Sequence, residues 1–250
     1  SENPDLVNSM VQNFVNEEAV VEQADLIFPM ETEVTLPGGY VTLAGEVIRF
    51  AEVRELNGRD EEVISKATSA GKMFNAVLSR GVVKLGTQLA DEGLLDSLYV
   101  GDREALILGV FKATFGHSID IPSYCSGCDD YKTVNINLDA DIPVKKIENI
   151  QEEGRFIVNG KTNEYLVSLP TGKVQKEIVD AGDKTNAELN TILLYGTIQQ
   201  INGKPVISKQ QIENMGISDR RIVIDEIGKR SFGPVFKNQV IECPDCSGAV

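Results

Sequence analysis

The residues best suited to chemistry in this sequence are four cysteines, arranged as two Cys-X-X-Cys pairs. The first pair is Cys125 and Cys128, and the second is Cys243 and Cys246. Such a turn directs two thiolates toward one point, and a structural zinc ion requires four soft ligands arranged as a tetrahedron. The two pairs are much farther apart in the chain than the roughly 15–20 residues typical of a zinc ribbon. Spacing alone therefore argues against one shared site.

Internal similarity within the sequence changes this interpretation. Residues 101–116 (GDREALILGVFKATFG) align without a gap with residues 218–233 (SDRRIVIDEIGKRSFG). Three further similarities follow the same order: residues 36–39 with 169–172, residues 75–81 with 190–196, and the first cysteine pair with the second. Four similarities in one order indicate a duplication.

Two duplicated halves that pack about a pseudo-twofold axis can bring equivalent elements together at that axis. We therefore predict one structural Zn²⁺ site formed by Cys125, Cys128, Cys243 and Cys246. A closed set of four thiolates has no open coordination position, which favours a structural role over a catalytic one. Four thiolates suit iron as well as zinc. Redox chemistry at one pair, two disulfides and free thiols remain alternatives, although Cys243 is not predicted to open a helix as a redox cysteine normally does.

The elements that position these cysteines follow from hydrophobic periodicity. Each half begins with an extended segment, continues with helices and ends in a β-ribbon that carries the cysteines. We expect strands at residues 46–53, 133–138 and 164–169, and helices at residues 60–70, 73–83 and 94–98.

A further helix is predicted at the aligned segment of each half. Asp102 is expected to cap a helix that runs to Phe115 and ends at Gly116. Asp219 is expected to cap its counterpart, which would end at Gly228 or Gly233. Since each aspartate is followed by an arginine, we interpret these two Asp-Arg pairs as caps with structural ion pairs, and not as catalytic residues.

The predicted fold class is α+β, with two related helix-plus-β-ribbon halves in a pseudo-twofold arrangement. Each half would end in a Cys-X-X-Cys zinc knuckle. Few residues follow Cys246, so we do not expect a returning strand after the second knuckle. The predicted segments are an N-terminal arm (1–25, helical around 6–21) that packs on the body or on a partner, a first half (26–138), a linker (139–154) and a second half (155–250).

Composition excludes several classes of function. The net charge of −14 repels phosphate backbones and anionic lipid heads, so we expect neither nucleic acid nor membrane as a partner. The sequence has no Trp and only 6% aromatic residues, which disfavours a small-molecule substrate. The single histidine, His117, has no partner residue at a spacing typical of a catalytic triad and is interpreted as a polar loop residue. No catalytic residue is predicted.

Taken together, the motifs resemble a known protein family. The ordered set LPGG, EVRELNGRDEEVI, FNAVLSRGVVKLG and LYVGDREALILGVFKATFG, followed by the first cysteine pair and VNINL, is similar to T4-type bacteriophage baseplate proteins. Related proteins occur in actinobacteriophages and contractile injection systems. The resemblance covers residues 32–138 well, and residues 155–250 look like a degenerate second portion.

The resemblance implies a structural or chaperone-like assembly protein of the phage tail. Its partners would be other tail or baseplate proteins. Its location would be the virion tail, or the host cytoplasm during assembly. Two other hypotheses remain: a thiol-disulfide oxidoreductase, which needs an exposed cysteine with a lowered pKa, and a zinc-ribbon adaptor that binds a basic protein.

Overall fold

A computed structural model describes residues 32–236 and 242–248. The predicted N-terminal arm at 1–25 lies outside the described residues, as does part of the stretch that leads into the second cysteine pair. The described chain mixes helices and strands, as the predicted α+β class requires.

The first unit forms a four-stranded antiparallel sheet covered by helices. The elements in order are β1 (Thr32–Val41), β2 (Val47–Val53), α1 (Gly58–Ile64), α2 (Ala70–Gly81), β3 (Val82–Leu85), β4 (Gln88–Leu89), α3 (Glu92–Ser97) and α4 (Val100–Phe115). Strands β1 to β4 lie in chain order across the sheet, and α4, the longest helix of this unit, packs on β1 and β2.

A two-stranded ribbon and a connecting segment follow. The ribbon consists of β5 (Ser118–Cys125) and β6 (Asp130–Asn137), and the connection contains β7 (Val144–Lys145) and α5 (Ile150–Glu153). Ile147 and Ile150 are buried in this connection, where they belong to a cluster with Leu169 and Phe232. The segment predicted as a polar linker therefore also contributes packed side chains between the units.

The second unit repeats the order of elements in the first. Its sheet again has its four strands in chain order. The elements are β8 (Arg155–Asn159), β9 (Glu164–Ser168), α6 (Gly172–Asp180), α7 (Asn186–Thr197), β10 (Ile198–Ile201), β11 (Lys204–Pro205), α8 (Lys209–Glu213) and α9 (Ile217–Arg230), followed by β12 (Gly233–Pro234).

Local sequence accounts for several helix boundaries in both units. Asn57 and Asp60 form a capping box at the start of α1, and Thr185 and Glu188 form another at the start of α7. Helices α2 and α7 each run directly into a strand, because the residue after each helix has extended backbone. Gly116 ends α4 with a positive φ of 91°, as its sequence position predicts.

Each unit has its own hydrophobic core. Residues from β2, β3, α3 and α4, including Val53, Leu85 and Leu106, form the first core. Residues from β9, α7 and α9, including Tyr165, Leu194 and Val223, form the second. Each core buries the apolar face of a sheet beneath its helices, which is the standard solution for a two-layer unit.

The units meet where α3 and α4 of the first pack against α6 of the second. Val100 N donates to Pro170 O, and Gly172 N donates to Leu98 O. Arg103 Nε donates to Gln175 Oε1 on α6. Arg220, the aligned equivalent of Arg103, donates only to atoms of its own unit within the described residues. A twofold axis would require a reciprocal contact there, so this part of the interface is not symmetric.

Two predictions about the Asp-Arg helices are wrong. Asp102 and Asp219 lie in the first turns of α4 and α9, but Tyr99 and Gly216 occupy the N-cap positions. Helix α9 also passes through Gly228 and ends at Arg230, before Gly233. Gly228 has open space around it and no positive φ, so nothing in its backbone ends the helix.

The predicted match between residues 36–39 and 169–172 is also wrong. Gly38 lies within β1 and donates its N–H to Asp102, whereas residues 169–171 connect β9 to α6, which begins at Gly172. The backbone N–H that reaches Asp219 belongs to Lys161, in the turn after β8. Gly38 and Lys161 therefore make similar backbone contacts to Asp102 and Asp219.

Candidate metal centre

The β-ribbon places the first cysteine pair at its tip. Strands β5 and β6 pair without a break from Ser118 opposite Asn137 to Cys125 opposite Asp130. The four residues between Cys125 and Asp130 form the turn that contains Cys128. Asp129 closes this turn with a φ of 55°, a left-handed conformation that non-glycine residues adopt mainly in tight turns. This regular hairpin fixes the direction of the first two thiols.

The second cysteine pair adopts a turn of the same kind. Cys243 N donates to Gly248 O at 2.7 Å, and Ser247 N donates to Cys243 O at 2.9 Å. Ser247 also has a φ of 55°, and it directly follows Cys246 just as Asp129 follows Cys128. The two knuckles therefore share a left-handed residue at the same position after the second cysteine.

The two knuckles bring all four sulfur atoms together. The four Sγ atoms lie within 4.8 Å of one another. Cys125 Sγ is 3.5 Å from Cys246 Sγ, and Cys128 Sγ is 3.8 Å from Cys243 Sγ. A disulfide requires about 2.05 Å, so these thiols are unbonded. Four sulfurs at about 2.3 Å from a central ion would stand about 3.8 Å apart, so this donor set fits a tetrahedral metal ion.

Burial and hydrogen bonding give the thiols different environments. Cys125 and Cys243 are buried, whereas Cys246 is exposed. Backbone N–H groups of Asp245 and Cys246 lower the pKa of Cys243 to about 7. A hydrogen bond with Cys246 raises the pKa of Cys128 to about 12.

The exposed thiol does not have the property that a redox cysteine needs. Hydrogen bonds with the backbone N–H of Gly248 and with Cys128 lower the pKa of Cys246, but contacts with Cys125 and Cys243, together with burial, raise it overall. The thiol with the lowered pKa, that of Cys243, is only 2% exposed. Exposure and a lowered pKa therefore fall on different cysteines.

A lysine outside the cysteine turns joins the two knuckles. Lys132 on β6 places its Nζ 2.8 Å from Asp245 of the second knuckle and 3.1 Å from Asp130 of the first. The bond to Asp245, and then that to Asp130, raises the pKa of Lys132, so the ammonium stays charged beside the thiols. Gly127 has no side chain and so leaves space for Cys246, since a Cβ at position 127 would lie only 3.2 Å from Cys246 Sγ. Sequence reasoning missed Lys132, since nothing local links it to Asp245.

The other candidate residues lie in structural contacts. His117 is exposed, with its Nδ1 2.6 Å from Asp139 Oδ2. Asp102 does not pair with Arg103 as predicted. The carboxylate of Asp102 accepts from the backbone N–H of Gly38 at 2.8 Å and that of Gly39 at 3.2 Å.

The two arginines of the Asp-Arg pairs make equivalent contacts. Arg103 Nη1 donates to Leu95 O, and Arg220 Nη1 donates to Ile212 O, in each case eight residues earlier in the chain. The Nη2 group of Arg103 donates to Asn75, and that of Arg220 to Thr191. By these contacts Asn75 corresponds to Thr191. The predicted alignment pairs Asn75 with Asn190 and is therefore shifted by one residue at this position. These guanidinium groups hold helices together within each unit.

No helix in the described part of the chain is long and apolar enough to cross a membrane. Among curated proteins and among solved structures, none matches the chain significantly. One family model does match, that of the T4 bacteriophage base plate protein, over residues 51–246. This range includes most of both units and all four cysteines, and it confirms the resemblance found in the sequence. The chain belongs to the T4-type bacteriophage base plate protein family.

Proposed function

We propose that this protein is a structural or assembly component of a phage tail baseplate whose two duplicated units are fastened by a Zn²⁺ ion. One observation carries the proposal: four thiols from two distant parts of a baseplate-family chain converge within 4.8 Å. The ligands would be Cys125, Cys128, Cys243 and Cys246. A bound ion would cross-link the two knuckles, and this function requires no substrate.

Zinc suits this donor set better than most cations. Hard cations such as Mg²⁺ and Ca²⁺ prefer oxygen ligands, whereas four thiolates select zinc or iron. A four-cysteine site is closed, so the ion would contribute to folding and not to catalysis. The proposed role is therefore that of a staple, because metal binding to a site formed only in the native state adds directly to folding stability.

Two observations support the proposed duplication. The order of strands and helices is the same in both units, and the paired arginines make equivalent contacts. At the knuckles the contacts are also reciprocal, since Cys125 faces Cys246 while Cys128 faces Cys243. Reciprocal contacts are what a local twofold axis produces. We propose that the pseudo-twofold relation applies to the knuckles, where the units share the metal.

The proposed partners are other baseplate or tail proteins, and the proposed location is the virion tail or the host cytoplasm during assembly. Family membership supports this placement. The net charge of −14 favours protein partners over nucleic acid or membranes, because phosphate groups are repelled.

The role can be tested in phage that carry a Cys128→Ser substitution. We expect loss of bound metal and a strong decrease in the number of completed tails, counted by electron microscopy. Ser126→Ala, in the same turn but without a metal ligand, is the matched control and should assemble normally. Mass spectrometry of purified tails then separates a resident component from a transient assembly factor. Normal tail numbers with metal-free Cys128→Ser protein would contradict the proposal.

A further inference from the structure

An apolar groove runs along one face of α4 and is bordered on one side by apolar residues of the β5–β6 ribbon. It consists of two adjoining clefts of about 560 and 490 Å³, and Phe74, Ile107 and Phe111 line both of them. Ile107, Phe111 and Phe115 follow one another at four-residue intervals on α4, and we call these three residues the α4 stripe. The charged residues that line the two clefts are Glu61 and Glu104. The groove therefore offers a surface suited to an apolar helix face.

Large side chains in this groove are exposed to solvent. Phe74 is 42% exposed, Phe115 is 64% exposed and Phe236, which lines the first cleft, is 65% exposed. Phe232, which aligns with Phe115, is buried against Gly38 and Gly101. Since aromatic residues make up only 6% of this chain, their concentration on one surface indicates a binding site.

The N-terminal segment carries a pattern that matches the groove. Leu6, Met10 and Phe14 recur at four-residue intervals, the spacing of the α4 stripe. On a helix both sets span about 12 Å, at 1.5 Å per residue. Val7 and Val11 widen the same face. Residues 1–31 contain acidic residues but no Lys or Arg, so the opposite face would remain in water.

The start of β1 places this segment within reach of the groove. Thr32, together with Leu108 of α4, lines a cleft on the neighbouring side of that helix. Leu108 also lines the groove itself. The residues between Phe14 and Thr32 can span roughly 55 Å when extended, far more than the width of one helix. Tethering raises the local concentration of the segment to about the millimolar range. This favours the chain's own segment over a second copy.

We infer that residues 6–14 dock as a helix into the α4 groove of the same chain. Leu6, Met10 and Phe14 contact the α4 stripe and Phe74 and shield them from water. The groove is thus an internal docking site for the N-terminal segment. This inference is independent of the metal centre and of the baseplate role.

The absence of tryptophan allows a direct test in the full-length chain. Phe14→Trp introduces a single indole on the proposed contact face. We expect blue-shifted emission and acrylamide quenching several-fold weaker than for a free indole, at all protein concentrations. Adding Phe74→Asp in the groove should restore full quenching. Adding Ile207→Asp instead, at a residue that is 81% exposed and outside the groove, should leave the protection unchanged.

A second variant guards against a folding defect in the groove. Phe14→Trp combined with Met10→Asp alters only the N-terminal segment, and it should restore quenching while the urea midpoint of the body is retained. Three results would overturn the inference: a fully quenched indole in Phe14→Trp, protection that persists with both Phe74→Asp and Met10→Asp, or protection that rises with protein concentration. The last result would assign the groove to a second copy.

Discussion

Asp102 provides a sharp test of how the first unit is held together. Its carboxylate is completely buried at the start of α4. One oxygen, Oδ1, accepts from Gly38 N and Gly39 N, while Oδ2 is buried without a hydrogen-bond partner among the described residues. Burial raises the pKa of Asp102 to about 6, and the two backbone N–H groups and Arg49 lower it only in part. The ionised form of this side chain is therefore destabilised by folding.

Proton linkage gives the direction and the size of the change in folding stability that Asp102 causes as pH varies. The folded pKa of about 6 lies above the ordinary aspartate pKa of 3.8, which applies to the unfolded chain. The folded protein therefore holds the proton more tightly than the unfolded chain. Its contribution to stability is fully present below the unfolded pKa and is lost as pH rises through about 6. The resulting decrease in the free energy of unfolding is about 3 kcal/mol in total. About 1.4 kcal/mol of this decrease falls between pH 5 and pH 8.

Asp102→Asn removes this titration but keeps an oxygen for Gly38 and Gly39. We expect the free energy of unfolding of the variant, relative to the wild type, to rise by about 1.4 kcal/mol from pH 5 to pH 8. Urea denaturation of both proteins across this range measures the difference.

Asp219→Asn is the control for this experiment. Burial raises the pKa of Asp219, but hydrogen bonds from Tyr165 and from the backbone of Lys161 outweigh burial and lower it. Its contribution is therefore lost only as pH falls through an acidic folded pKa, and the effect of Asp219→Asn should be constant between pH 5 and pH 8. A constant difference for Asp102→Asn as well would refute the reasoning.

Three further predictions concern the packing of the units and the metal centre. Arg103→Met should destabilise the protein by about 1–3 kcal/mol, because it leaves the buried carbonyl of Leu95 without its donor and removes the contact with Gln175 of the second unit. Arg220→Met should cost less, since its contacts are more exposed, and urea midpoints of the two variants measure the difference. Gly38→Ala should cost about 1–3 kcal/mol in thermal unfolding experiments, because the new Cβ would lie 2.3 Å from the ring of Phe232. Lys132→Ala should make removal of the metal by a chelator several-fold faster, since the contact between the knuckles is lost.

Much of the fold could be predicted from local sequence. Gly116 ends α4 because glycine adopts a positive φ without strain, and the strand at 47–53 follows from its composition and alternation. The two Asp-Arg segments proved to occupy equivalent helix starts. Their aspartates were assigned the wrong partners, because a carboxylate in a first turn can serve its own helix or a distant backbone, and only tertiary packing decides which.

The sequence predicts the cysteines of the candidate site, but not the contacts there that depend on tertiary packing. The convergence of Cys125, Cys128, Cys243 and Cys246 could be predicted from the internal similarity of the sequence. The bond from Lys132 to Asp245 could not be predicted, because it joins residues that have no pattern in common. The asymmetric contact of Arg103 with Gln175 was also beyond prediction, since the aligned Arg220 has the same local sequence context but packs only within its own unit.

The proposed tetrathiolate metal ion would hold the two units together. Elemental analysis of the native protein, combined with thiol titration before and after denaturation, tests for this ion most directly. We expect one zinc per chain and four thiols that react only after denaturation. One iron per chain would identify the ion as iron, and the metal cross-link between the two units would still be supported. A metal-free native protein with freely reactive thiols would contradict the claim.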